Sequence, residues 1–184
     1  MTNSDMTDDT KSGKPTDQLG PIVSSAHLAA GEMPSLSELE FGLILASHAF
    51  HRWMVRCMEA TGITGLSALD ILVLHSVAHR DRPKKLADIC LVLNVEDTHL
   101  VTYAVRKLQT LGLVASGRAG KEKTVEITGK GGAACRRYFE IREALLVQAV
   151  KSVGIAPDLL SGDAALLRAL SGHYDQAARA AASL

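Results

Sequence analysis

The chain has 184 residues, of which 47% are hydrophobic and 22% charged, enough to bury one core of moderate size but not two large ones. Aromatic residues make up only 4% while Ala, Leu and Val dominate, which favours an aliphatic helical core and argues against a β-sandwich. The formal net charge of zero excludes binding to polyanions by bulk charge alone.

The charge is unevenly spread. Met1–Glu40 carries two lysines against seven acidic residues, whereas Arg80–Lys130 carries ten basic residues against six acidic ones, so a local basic face is expected. Cys57, Cys90 and Cys135 are odd in number, widely spaced and flanked by apolar residues, a pattern that suits reduced thiols better than a disulfide framework. No apolar run approaches the ~20 residues that span a bilayer, and no basic stretch leads into an apolar one at the N-terminus. A soluble cytoplasmic protein without a membrane partner is expected.

Residues 1–34 are rich in Ser, Thr, Asp, Gly and Pro and lack apolar periodicity, which reads as a disordered or loosely docked arm. From Leu36 the pattern changes. Leu36, Leu39, Leu43, Ala46, Phe50, Trp53 and Cys57 recur at alternating steps of three and four, predicting a long helix within 35–62. Its stripe serves either a core or a seam against a second protomer.

Gly62 and Gly65 interrupt that helix. Ser67 can cap a second one whose apolar positions are Leu69, Leu72, Val73 and Val77, ending near His79. A basic loop with Arg80, Arg82, Lys84 and Lys85 leads to a short helix, Leu86–Leu93. Asn94 tolerates a positive φ in the following turn, and Asp97 stands where an N-cap belongs.

The next helix, Thr98–Leu111, points Val101, Ala104, Val105, Leu108 and Leu111 inward and leaves His99, Thr102, Tyr103 and Arg106 on the opposite face. Gly112 ends it, Leu113-Val114 opens a strand, Gly117–Gly120 reads as a turn, and Lys123–Thr128 as a second strand. Two helices, a tight turn and a hairpin with Arg118, Lys121 and Lys123 at its tip define a winged helix-turn-helix within 63–128. The fold class expected is mainly α with a small β-hairpin wing, flanked by outer helices.

Thr128 can cap a further helix, which opens through Gly129, Gly131 and Gly132 and continues to about Ser152. Gly154 and Pro157 break it, and a last Ala- and Leu-rich helix is expected from about Asp163 to Ala182, with Leu166, Leu170, Tyr174 and Ala177 on one side.

In this helix arrangement Arg106, Lys107, Arg118, Lys121 and Lys123 would neutralise phosphates. Thr98, His99, Thr102 and Tyr103 would reach base edges or the backbone from the same helix, Thr102 through its methyl against a thymine. No nucleophile elbow, zinc-protease helix or paired-carboxylate motif occurs, so a non-enzyme without a cofactor is expected. The pairs His48/His51 and His75/His79 have chelating spacing, but no thiol or carboxylate completes a shell, and no metal is expected. Cys57 lies on an apolar stripe away from Arg56, as an inert buried thiol would.

Lys107-Leu108, Leu111-Gly112-Leu113-Val114 and Val125-Glu126-Ile127-Thr128 together resemble the MarR family of bacterial transcription regulators. The resemblance implies a homodimer held by helices at 35–62 and 129–184, whose two recognition helices meet successive major grooves of double-stranded DNA. It also implies control by a small-molecule effector in a pocket between the dimer helices and the DNA-binding domain. The turn Asn94–Glu96 is one residue longer than usual for that family, and Gly117–Lys123 replaces its usual Asp-Arg-Arg wing. A rival expectation, supported by the neutral net charge, is a winged helix used as a protein-interaction or assembly module.

Overall fold

The computed structural model describes residues 20–120 and 122–184. The expected arm at 1–34 therefore lies largely outside the described residues, as does Lys121. The elements run α1 (Pro34–Glu59), α2 (Ala68–Ala78), β1 (Lys84–Lys85), α3 (Leu86–Leu93), α4 (Thr98–Thr110), β2 (Val114–Ala119), β3 (Glu122–Ile127), α5 (Gly129–Arg142), α6 (Gln148–Ser152) and α7 (Pro157–Ala181). A π-helical segment, Glu143–Val147, joins α5 to α6.

The chain divides into two compact units, one ending at Phe50 and the other spanning His51–Leu184, with the boundary inside α1. In the first, a 3-10 turn at Ala26–Ala30 is tied to α1: the Ser37 hydroxyl donates to the Leu28 carbonyl at 2.6 Å, and Glu38 Oε1 accepts from the Ile22 N–H at 2.9 Å. Leu43, Ile44, Leu45 and Phe50 are exposed in this unit.

The second unit holds the core. Its centre is made by Met54, Cys57 and Met58 of α1, Ile71 and Leu74 of α2, Ile89 of α3, Val101 and Leu108 of α4, and Tyr138 of α5. α2 is apolar on every side, with Ile71, Val73, Leu74 and Val77 all fully buried, as a helix wrapped by others must be. Burying α4 depends on its inward row: Val101, Ala104, Val105 and Leu108 are buried while Leu111 is half-buried.

Short polar side chains set the helix starts. Ser67 and Asp70 form a reciprocal capping box at α2, with the Asp70 N–H donating to Ser67 Oγ at 3.2 Å and the Ser67 N–H to Asp70 Oδ2 at 2.8 Å. Asp97 Oδ1 accepts from the His99 N–H at 2.8 Å, and Thr128 Oγ1 from the Gly131 N–H at 3.0 Å. α4 stops in a Schellman turn at Gly112, φ 71°, where the Leu113 N–H donates to the Leu108 carbonyl and the Gly112 N–H to that of Gln109, both at 2.9 Å.

Three expectations need correction. Lys84–Lys85 is not a loop but the edge strand of a three-stranded antiparallel sheet ordered β1-β3-β2, with Lys84 opposite Val125. The hairpin is longer than expected: β2 continues through Gly117 to Ala119, and Gly120, φ 62°, takes the left-handed conformation. Gly117 stands opposite Thr124 in that ladder, and a Cβ there would lie 2.7 Å from the hydroxyl of the buried Thr124. Finally, α7 begins at Pro157 rather than near Asp163, since proline at the first helical position gives up an N–H that has no intrahelical acceptor anyway.

Candidate nucleic-acid interface

α4 is fixed from three sides. Its inner row enters the core; the Gln109 amide donates to Ser116 Oγ of β2; and the Lys130 ammonium donates to the Leu111 carbonyl at 2.8 Å, a cation at a helix C-terminus. Lys107 Nζ donates to Asp70 Oδ2 at 2.8 Å. The Asp70 side chain is 8% exposed and that of Lys107 45%, so the pair braces α4 against α2 while the ammonium stays partly in water.

That bracing leaves a defined outer face. His99 is exposed, Tyr103 is 66% exposed, and the exposed Arg106 guanidinium lies 5.9 Å from the centroid of the Tyr103 ring. Thr98 is exposed at the helix start. Thr102 is half-buried and its hydroxyl donates to the Thr98 carbonyl at 2.9 Å, which commits its O–H to the backbone. Lys107, by contrast, spends its ammonium on Asp70 of α2.

On the hairpin, Arg118 stands directly opposite Lys123 in the β2–β3 register, and both are exposed. Like charges at a cross-strand pair repel, so the pair is stabilised by any anion that comes between or over them. Next along β3, Glu122 forms an ion pair with Lys85 of β1, diagonally across from the Lys85–Thr124 register. Lys121 is not among the described residues. Sequence reasoning missed Asp70 as the residue that orients α4; its place at the third position after the Ser67 cap was the available signal.

The histidine pairs do not assemble into a ligand shell: among the described residues no three His, Cys, Asp or Glu side chains converge as a metal site. His75 instead packs edge-on against Tyr138, ring centroids 4.6 Å apart at 68°. Burial pushes the His75 pKa down and the Tyr138 hydroxyl up to about 12. Cys57 is buried, its thiol facing the Tyr138 carbonyl at 3.6 Å, and burial raises its pKa. Among the described residues no single helix is long and apolar enough to cross a membrane.

Residues 66–131 match the sequence model of a family described as a winged helix DNA-binding domain. No curated protein matches the chain in sequence. Among solved structures, a MarR family regulator from Neisseria meningitidis superposes with a TM-score of 0.62 at 15% identity, over 77% of this chain and 94% of that one. CouR from Rhodococcus jostii RHA1, in complex with p-coumaroyl-CoA, gives 0.60 at 14% identity over 72% and 90%. The oxidised form of MarR from E. coli gives 0.56 at 19% identity over 72% and 93%. At such identities the likeness establishes the fold.

Proposed function

Starting from a winged helix DNA-binding domain set in a MarR-type fold, we propose that the chain is a homodimeric transcription regulator that lays α4 in the major groove of duplex DNA. The observation that carries this reading is the joint presentation of His99, Tyr103 and Arg106 on one exposed helix face and of Arg118 opposite Lys123 on the hairpin. Arg106, Arg118 and Lys123 supply phosphate contacts, with Lys121 a further candidate on the same hairpin. Thr98, His99 and Tyr103 reach the backbone or base edges, and the Thr102 methyl touches a thymine. Lys107 holds α4 in position through Asp70.

The homodimer reading is supported by what the outer helices leave uncovered. None of the residues of α7 is buried, and Leu159, Leu160, Leu166, Leu167 and Tyr174 are exposed along it. A helix of 25 residues with that much apolar surface is stable only when something covers it. A second copy does so by symmetry, and it sets the distance between two α4 helices. Control by a small molecule is consistent with a neighbour of the same fold that holds p-coumaroyl-CoA: a ligand that favours one spacing of the α4 helices changes DNA affinity.

A gel-shift experiment with the DNA upstream of the protein's own gene tests this. The expected result is a shifted band, lost when the duplex is replaced by a shuffled one of equal composition. Absence of any shift at low salt would overturn the reading in favour of a protein-interaction module.

A further inference from the structure

The function proposed above makes no use of the turn between α3 and α4, yet the last helix of the chain touches the winged helix there. Asn94 Nδ2 donates to Asp175 Oδ2 of α7 at 3.3 Å, across 81 residues of sequence. The two meet because α7 turns away from the α5–α6 direction by 105°. α7 holds no buried residue, and Asp175 is one of three half-buried positions along it, with Ala164 and Leu170.

The backbone of the turn is already committed. Asn94 closes α3 in the left-handed conformation, φ 51°, with its N–H donating to the Leu91 carbonyl at 3.3 Å, and the Val95 N–H donates to that of Cys90 at 2.9 Å. Glycine would adopt that φ with less strain, so what asparagine adds is its amide, and the amide reaches α7. Val95 packs against the core, and Asp97 caps α4. Only Val95 and Glu96 separate Asn94 from that cap, so a displacement of Asn94 is passed to the first turn of α4, which carries Thr98 and His99. Leu159, Leu160, Leu166 and Leu167, the exposed leucines available to a second copy, lie towards the other end of α7. One helix therefore runs from the proposed dimer seam to the turn ahead of α4.

We propose that Asn94 and Asp175 are positioning residues for DNA recognition: their hydrogen bond ties α7 to the turn ahead of α4, so that the seam sets the orientation in which α4 meets the groove. This deepens the DNA-binding reading and rests on it. The bond also bounds the effect. Breaking it can release α4 into other orientations by no more than the bond was worth, so specific affinity should fall about two- to tenfold for each α4 that docks.

The test is fluorescence anisotropy of the full chain on the upstream duplex and on a shuffled one. Asn94→Gly keeps the left-handed turn and Asp175→Ala keeps α7 helical. Each should cut the preference for the upstream duplex about two- to tenfold while melting within about 4 °C of wild type, and the double variant should lose no more than either single one. Asp175→Asn, which drops the charge but keeps an acceptor oxygen, should retain the preference. So should Asp163→Ala, which removes an exposed carboxylate elsewhere on α7. Additive losses, an unchanged preference in Asn94→Gly or Asp175→Ala, or equal losses in Asp175→Asn and Asp175→Ala would overturn the proposal. A wild-type chain that binds neither duplex would instead overturn the function proposed above. Hydrogen exchange at the Val95–Thr98 amides of the DNA-free chain then decides whether the pair holds the turn: it should quicken in Asp175→Ala and not in Asp175→Asn, and equal rates in the two would overturn that role as well.

Discussion

Lys107 of α4 and Asp70 of α2 meet at 2.8 Å, and the same Asp70 oxygen accepts the Ser67 N–H that opens α2. One carboxylate thus caps one helix and orients another. Asp70→Ala removes both bonds, and a loss of about 1–3 kcal/mol in stability is expected from a lost cap and a lost charge-assisted hydrogen bond. Lys107→Ala should cost less than about 1 kcal/mol, because its ammonium is nearly half exposed and screened. Urea denaturation of the two variants checks the order; equal losses would mean that Asp70 acts only through Lys107.

Gly131 is needed for contact rather than for conformational freedom. A Cβ there would lie 2.0 Å from the Leu113 carbonyl oxygen, backbone that cannot swing aside, so α5 could no longer seat against the start of β2. Gly131→Ala should destabilise by about 1–3 kcal/mol as an overpacked site does. Gly129→Ala, with nothing within 4 Å, should be neutral or stabilising by up to about 1 kcal/mol. Thermal denaturation of both variants distinguishes them.

His75 makes stability depend on pH. Its folded pKa lies below the ordinary value of 6.5 because burial penalises the imidazolium. Between the folded and unfolded values the unfolded chain binds more protons, so stability rises with pH there. The contribution is fully present above pH 6.5 and is lost as pH falls through the folded value. Melting temperatures measured from neutral to mildly acidic pH should fall, and His75→Phe, which keeps the ring against Tyr138, should flatten that part of the curve. An unchanged slope in the variant would assign the effect elsewhere.

The exposed leucines of α7 give the dimer a direct test. Leu166→Glu combined with Leu167→Glu changes only exposed positions, so helix content by circular dichroism should hold in the winged helix. Sedimentation equilibrium should move from dimer towards monomer. A wild-type chain that sediments as a monomer would remove the paired-groove geometry.

The elements of the winged helix were legible in the sequence where a short polar residue precedes an apolar row, as at Ser67, Asp97 and Thr128, or where a residue tolerant of positive φ follows one, as at Asn94 and Gly112. Lys84–Lys85 was not legible as a strand, because a strand of two residues has no period and exists only through its pairing with β3. Gly117 and Pro157 carried the usual signals of a turn and a break, while their actual roles, a strand position pressed against Thr124 and a helix start, depend on neighbours in space and on which side of the break the helix resumes. The same division holds for the candidate interface. The outward row His99, Tyr103 and Arg106 follows from helical spacing, whereas the turn of Lys107 towards Asp70 and the pairing of Arg118 with Lys123 require tertiary contact and strand register.

If α4 and the hairpin grip duplex DNA as proposed, affinity must fall with salt in proportion to the phosphates they neutralise. Fluorescence anisotropy of the upstream duplex over a series of salt concentrations, with wild type and Arg106→Ala, measures this. Log K should fall linearly with log salt, and the variant should bind more weakly with a slope smaller by about 0.9, one phosphate contact fewer. No binding at low salt, or a slope that Arg106→Ala leaves unchanged, would contradict it.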